Sequence, residues 1–316
     1  MTALVSVVIA TRNRAPKLGR LLQCVREQDI VDFECLVSDD GSSEETRNQY
    51  PLLWQQLDGR FRLLLRRHPG GPAQARNTGI SAAAGRYVAF CDDDDYWTRK
   101  DHLSVAFRSM QTNGSDLFIA NMQMSVNGIV ENPDWYGDIF TKGNSPIAGE
   151  TDVYPVSKRK VAAFLRHRIF SADTLVISRK LLNNIGSYWE NIRFAEDHDF
   201  SFRLADGAKG ILFRSTVAGD ADVSPHPSIA RSYSEQDRIL FGALATLHAE
   251  ASINDPVLRK VARGNRAWRL LELARLSMAE RQYAIAQGFV LQALGLSPSK
   301  EALKILLQVG GQRLLR

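Results

Sequence analysis

Cysteine is scarce in this chain: Cys24, Cys35 and Cys91 are the three among 316 residues. Their number is odd and no two share a metal-ligand spacing. A disulfide framework and a thiolate zinc site are therefore not expected, and reduced thiols in a cytoplasmic protein are. A basic leader is also missing. The apolar start at residues 4–10 is too short for a signal-peptide core, and "MTA" before it carries no positive charge. Long apolar runs are lacking too. Two stretches without charge, 117–130 and 282–299, are each interrupted by Gln, Asn, Gly, Ser or Pro, so neither reads as a membrane span. Three phosphate or metal motifs are absent. No G-x-G-x-x-G follows the first strand-like segment, where "ATRNRAP" has no glycine, which argues against a dehydrogenase. No G-x-x-x-x-G-K-[ST] occurs. The aspartate run at 92–95 is followed by Tyr96 where an EF-hand loop needs a further ligand and then glycine.

What is present is a chain with 44% hydrophobic residues, enough for a sizeable core in one large domain or two ordinary ones. Charge is unevenly spread. Of the formal +5, residues 256–316 carry +8, from 11 Lys/Arg against 3 Asp/Glu, which leaves the first 255 residues at −3. A basic tail of this kind meets nucleic acid or an anionic membrane surface, or is simply a solvated helix face.

The first third alternates strand and helix patterns. "LVSVVIA" (4–10) is apolar throughout, as a strand buried on both faces must be. Helix-like 16–28 follows, then strand 33–39, then a helix capped by Ser42 or Ser43. Strand 61–67, the glycine turn "HPGGPA", the helix "AQARNTGISAAAG" and strand 86–92 complete the rhythm of a mostly parallel sheet covered by helices. A further helix and strand run to about 125. Residues 126–157 read as a long loop, of a kind that is functional or mobile. Helix 158–168, strand 173–178 and the stretch 193–206 follow. From Ser234 the pattern is helical, with Ala267, Leu270, Leu271, Ala274 and Met278, and again Leu303, Leu306 and Leu307, at helical spacing.

Ligands of an open parallel sheet bind beyond the carboxyl ends of its strands. Here those ends read "TRNR" (11–14), "SDDGS" (38–42) and "CDDDDYW" (91–97). Carboxylates so crowded are tolerable when a divalent cation neutralises them or a ligand donates hydrogen bonds to them. A helix cap would account for Asp95 alone.

In order, "SVVIATRNRAPKLGRLLQCVREQ", "LVSDDGSSEET", "GGPAQARNTGI", "YVAFCDDDDYW" and "AEDHDF" resemble the signatures of glycosyltransferase family 2 over about residues 4–232. The resemblance implies an α/β protein of the A-type glycosyltransferase fold, a Rossmann-like, mostly parallel sheet flanked by helices. It implies a nucleotide-sugar-binding domain at 1–233 with a helical C-terminal region at 234–316. Thr11 and Arg14 match the strand end bordering the nucleotide base, Asp40 or its neighbour Asp39 the acid that holds the base, and Arg76 the arginine after the glycine loop. Asp92, with Asp93 beside it, matches the ribose position and Asp94 the metal ligand for Mn²⁺ or Mg²⁺, in a register open by one residue. Asp197 matches the catalytic base, with Glu196 beside it. His226 matches a histidine that can ligate the metal, although the arginine often found two residues earlier is replaced by Ser224; a surface histidine in a proline-rich loop is the alternative.

The implied activity is a metal-dependent inverting transfer from a nucleotide sugar, most often UDP-linked, to a glycan or lipid-linked glycan in cell-surface polysaccharide synthesis. Such a transfer needs a base for the acceptor hydroxyl, a cation for the leaving diphosphate and alignment away from bulk water. His198, between Asp197 and Asp199, reads as pointing away from the base, and Arg203 as a salt-bridge partner of Asp199. Trp135, Tyr136, Tyr188 and Trp189 are either sugar-stacking or packing residues. The basic tail would dock the protein peripherally on the inner membrane face or serve a homodimer; nucleic acid is not an expected partner. Other readings are a non-catalytic sugar- or nucleotide-binding or scaffold module, and a sugar-phosphate nucleotidyltransferase, for which "ATRNRAP" lacks the glycine-rich loop.

Overall fold

The computed structural model describes residues 4–30, 32–224 and 232–314. In chain order its elements begin β1 (Val5–Thr11), α1 (Ala15–Arg26), β2 (Phe33–Asp39), α2 (Glu44–Arg47), α3 (Tyr50–Trp54), β3 (Phe61–Leu65), α4 (Pro72–Ala82) and β4 (Tyr87–Asp92). Next come β5 (Tyr96–Trp97), α5 (His102–Asn113), β6 (Leu117–Val126), β7 (Ile129–Asn132), β8 (Val153–Pro155), α6 (Lys158–Phe164), β9 (Leu175–Ser178) and α7 (Arg179–Ile185). The last are α8 (Glu196–Gly207), β10 (Ile211–Asp222), α9 (Glu235–Ser252), α10 (Pro256–Ala279), α11 (Tyr283–Leu296) and α12 (Lys300–Leu314). They fall into two compact units. One holds Met1–Val161, Phe170–Glu190 and Gly207–His226, the other Ala162–Ile169, Asn191–Asp206 and Pro227–Arg316.

The first unit is built on one sheet of order β3-β2-β1-β4-β9-β6-β10-β5, with β7 on β6 and β8 on β10. β3, β2, β1 and β4 run parallel, and so do β6 and β10. β9 enters between β4 and β6 antiparallel to both. Val5, Val7, Val8 and Ile9 of β1 are each at most 1% exposed, the burial on both faces that its unbroken apolar pattern requires. α1 turns Leu18, Leu21, Leu22 and Val25 inward at helical spacing. α4 lies so close to β1 that a Cβ on Gly79 would stand 2.5 Å from Val8 Cγ1.

Register decides what the strand ends share. Thr11 pairs with Asp39, and Ala10 with Asp92. The ends of β1, β2 and β4 therefore lie level, and their terminal residues meet at one rim.

Several expectations are corrected. Residues 126–157 are not a plain loop: β7 and β8 form within them, and Tyr136 and Phe140 are buried against Phe213. Asp95 caps no helix, since α5 starts at His102. β10 was not legible as a strand; Arg214 in its middle is buried, but bound to Asp101 and Asp152, so its charge does not mark a surface.

In the second unit, α8 is grouped with the C-terminal helices. Ser234 caps α9 by accepting Asp237 N–H, and Asp255 caps α10 by accepting from Val257 and Leu258. Its core contains Ala267, Leu270, Leu271 and Ala274 of α10, Val290 of α11, and Ala302, Ile305 and Val309 of α12. Leu303 and Leu307 are instead 53% and 78% exposed. The helical spacing on α12 was right, but its phase is set by the smaller Ala302 and by the β-branched pair.

Candidate active site

β1 ends in Thr11 and passes through Arg14 into α1; β4 ends in Asp92 and turns through Asp93, Asp94 and Asp95. Thr11 Oγ1 donates to Asp93 Oδ2 at 2.7 Å. Arg14 Nη1 lies 2.9 Å from Asp93 Oδ1 and 2.7 Å from Asp94 Oδ2. Arg76, from the second turn of α4, reaches Asp92 Oδ1 at 2.6 Å and lies over the Tyr188 ring. The structure thus brings together Thr11, Arg14, Arg76 and the whole aspartate run.

A residue the sequence reading missed completes the group. Asp173 is buried, 5% exposed, in the short 3₁₀ turn before β9. Its Oδ1 accepts the Asp92 N–H at 2.9 Å, and its own carbonyl accepts Trp97 Nε1–H at 2.6 Å. Carboxylate oxygens of Asp92, Asp95 and Asp173 lie within 4.8 Å of one another. Nothing in "FSADTLVIS" separated this aspartate from an ordinary strand-leading one; only the insertion of β9 beside β4 brings it to the rim.

Electrostatics at the rim are strained toward protonation. Burial pushes Asp93 up to about 6 even against Arg14. Burial, and then the charge of Asp173, push Asp95 well above the usual carboxylate range. Burial and Asp92 push Asp173 up to about 6. Among the described residues, Arg14 and Arg76 are the guanidinium groups paired with Asp92, Asp93 and Asp94, and Asp95 and Asp173 lie beside them. That excess of oxygen-donor charge is what a hard divalent cation relieves, so these residues fit one.

Asp39 and Asp40 are spent differently. Asp39 is fully buried and accepts from Ser42 Oγ, from Tyr50 OH at 3.0 Å and from Arg47 Nε at 3.2 Å. Asp40 accepts the N–H groups of Gly70 and Gly71 at 2.9 and 2.8 Å, and Arg66 Nη1. It pins the glycine turn that leads into α4. Tyr136 and Tyr188 are each 3% exposed and packed on aromatic neighbours, Phe213 and Phe90, which assigns both to packing; Trp135 and Trp189 are half-buried. His226 lies outside the described residues.

In the second unit, Glu196 and Asp197 open α8; Glu196 is buried and the Asp197 side chain is 39% exposed. The expectation for His198 is corrected. Its ring turns back, with Nδ1 3.1 Å from Asp197 Oδ1, and its backbone N–H donates to the same oxygen at 2.9 Å. At the start of a helix the first N–H groups have no helical partner, and the Asp197 carboxylate takes one of them. Arg203 does pair with Asp199, at 2.6 Å.

Known proteins bear on this arrangement. A family model described as glycosyl transferase family 2 matches residues 6–185. The succinoglycan biosynthesis protein ExoO of Rhizobium meliloti is 33% identical over 269 residues, 82% of this chain and 69% of that one. The UDP-Glc:alpha-D-GlcNAc-diphosphoundecaprenol beta-1,3-glucosyltransferase WfgD of Escherichia coli is 31% identical over 127 residues, 40% of this chain. The match spans 49%, about half, of WfgD's own length. The crystal structure of S. aureus TarS 1–349 in complex with UDP-GlcNAc aligns with a TM-score of 0.68 at 18% identity, covering 99% of this chain and 92% of that one. At that identity the likeness is one of fold, and the fold is the A-type expected.

Proposed function

The chain belongs to glycosyl transferase family 2, and on that premise we propose that it moves a sugar from a UDP-linked donor to a hydroxyl of a lipid-linked glycan, inverting the anomeric carbon. The observation that carries this reading is the carboxylate rim at the ends of β1 and β4, with Arg14 and Arg76 set into it. The UDP-glucose and diphosphoundecaprenol in the name of WfgD, and the UDP-GlcNAc in the TarS crystal, support the choice of donor and acceptor class.

Thr11, Arg14, Arg76, Asp92 and Asp93 would hold the nucleotide. Asp94, with the converging Asp92, Asp95 and Asp173, would hold Mn²⁺ or Mg²⁺. When bound, the cation offsets the charge of the leaving diphosphate. Asp197 takes the proton of the acceptor hydroxyl as its oxygen attacks the anomeric carbon, and the bond to the nucleoside diphosphate breaks on the opposite face. His198 keeps one carboxylate oxygen of Asp197 oriented.

A membrane-bound acceptor suits the last helix. Lys300, Leu303, Lys304 and Leu307 share the exposed face of α12, apolar side chains flanked by cations, as in helices that lie on an anionic bilayer. No helix among the described residues is long and apolar enough to cross a membrane.

The test is thermal stabilisation by UDP, GDP, dTDP and CMP, with Mn²⁺ and with EDTA, followed by transfer assays on wild type and Asp197→Asn. A ligand at a hundred times its Kd adds about 2.7 kcal/mol, so a metal-dependent shift with UDP is easily seen. No shift with any nucleotide, or an Asp197→Asn protein that transfers as fast as wild type, overturns the reading.

A further inference from the structure

α7 ends at Gly186, whose φ of 77° is one that L side chains rarely adopt. The stretch after it is irregular, so its backbone groups need partners outside any helix or ladder. Asn77 of α4 supplies them for Tyr188. Its Oδ1 accepts the Tyr188 N–H at 2.9 Å, and its Nδ2 donates to the Tyr188 carbonyl at 2.8 Å. The same Nδ2 donates to Glu190 Oε1 at 2.7 Å. Asn77 is buried, and this amide clamps the stretch onto α4 with both of its polar atoms in use.

The clamp fixes where the Tyr188 ring stands. The ring packs edge to face with Phe90 of β4, centroids 5.9 Å apart. The Arg76 guanidinium lies over it, with Cζ 5.2 Å from the ring centroid. Residues 76 and 77 point about 100° apart on their helix, yet both meet Tyr188, one at its ring and the other at its backbone. Arg76 Nη2 also reaches Asp92 Oδ1 at 2.6 Å. The guanidinium thus has two holds, a carboxylate of the rim and an aromatic face. Such a face attracts a cation, more strongly where water is excluded, and Arg76 and Tyr188 are both buried.

We propose that Tyr188 is a positioning residue for Arg76: its ring face, locked by Asn77 and Phe90, sets the guanidinium at the rim before the donor arrives. The proposal rests on the reading that Arg76 contacts the nucleotide-sugar donor. A long arginine side chain has many rotamers, and binding a ligand with it costs less when one of them is already imposed. The irregular stretch after α7 then contributes to donor affinity through Arg76. A tyrosine that only filled space would contribute to stability, and its effect on the donor would not depend on which residue stands at position 76.

The test uses the full chain as wild type, Tyr188→Phe, Tyr188→Leu, Arg76→Met and the double variant Tyr188→Leu with Arg76→Met. UDP affinity is measured by calorimetric titration in Mn²⁺. Tyr188→Leu keeps an apolar side chain but removes the ring face, and is expected to weaken UDP binding about fivefold. Tyr188→Phe keeps the face and stays within about twofold of wild type. In the Arg76→Met chain the further change Tyr188→Leu is expected to alter affinity by less than about twofold, because the group it positions is gone. Should Tyr188→Leu not fold, Tyr188→Met, whose flexible side chain fills the same place without a ring, makes the same comparison. The proposal is overturned if removing the ring leaves UDP affinity at its wild-type value, or weakens it equally with and without Arg76. An Arg76→Met protein that binds UDP as wild type does would remove the donor role of Arg76, and the proposal with it.

Discussion

Arg76 Nη2 lies 2.6 Å from Asp92 Oδ1, and this pair ties the helix after the glycine turn to the end of β4. The arginine is nearly buried and the aspartate about one-third exposed. Without Arg76, Asp92 faces Asp95 and Asp173 with less compensation. Arg76→Met is therefore expected to weaken UDP binding in Mn²⁺ by about tenfold or more, and to lower stability by about 1–3 kcal/mol. Calorimetric titration and urea unfolding of the same preparation check both. Unchanged UDP affinity would separate Arg76 from the donor site.

Asp173→Asn keeps an acceptor for the Asp92 N–H while removing a buried charge. The wild-type carboxyl is pushed up to about 6 by burial and Asp92. The stability linked to its raised pKa is fully present below its ordinary 3.8 and is lost as pH rises through about 6. At pH 7.5 without metal, Asn is therefore expected to be more stable by on the order of 1–2 kcal/mol, and near pH 3.5 the gain vanishes. Adding Mn²⁺ should stabilise wild type more than the variant. Equal melting temperatures at pH 7.5 in EDTA would show that the repulsion is relieved elsewhere.

His102 is fully buried between Trp97 and Phe118, and burial lowers its pKa to about 3. The unfolded chain binds its proton near pH 6.5 and the folded chain does not. Its contribution to stability is thus present above 6.5 and lost as pH falls toward 3. Between pH 6.5 and 5 the loss is about 2 kcal/mol. His102→Met should flatten that part of the stability profile, measured by denaturant unfolding at several pH values. A slope identical to wild type would rule the imidazole out as its source.

Gly79 and Val8 are a packing pair. A Cβ at Gly79 would lie 2.5 Å from Val8 Cγ1. Gly79→Ala is expected to destabilise by about 1–3 kcal/mol through overpacking, and Val8→Ala in the same chain should restore part of it. Additive losses in the double variant would show that the two do not share the space.

Much of this was legible beforehand. Long, regular patterns in "LVSVVIA", "FECLVSD" and "RYVAFCD" marked β1, β2 and β4, because a strand buried on both faces leaves an unbroken apolar run. Their carboxyl ends then named Thr11, Arg14 and the aspartate run as rim residues. Which of the acids turn inward was not legible. Asp39 and Asp40 look alike in "SDDGS", yet one holds the β2–α2 turn and the other the glycine turn. Hydrogen-bond partners tens of residues away decide this, and no local spacing encodes them. His198 likewise looked outward on a helical wheel, but it lies in the first turn, where backbone groups are still unsatisfied and side chains fold back on them.

The sequence by itself determined the family, the parallel half of the sheet and the presence of a carboxylate-rich rim, because those depend on local periodicity and on residues ending adjacent strands. The tertiary structure decided that Asp173 joins that rim, that Leu303 and Leu307 of α12 face outward, and that Asp199 of α8 meets His248 of α9. These follow from long-range packing: β9 slots in antiparallel beside β4, and buried charges such as Asp199 persist only where a distant partner, here His248, reaches them.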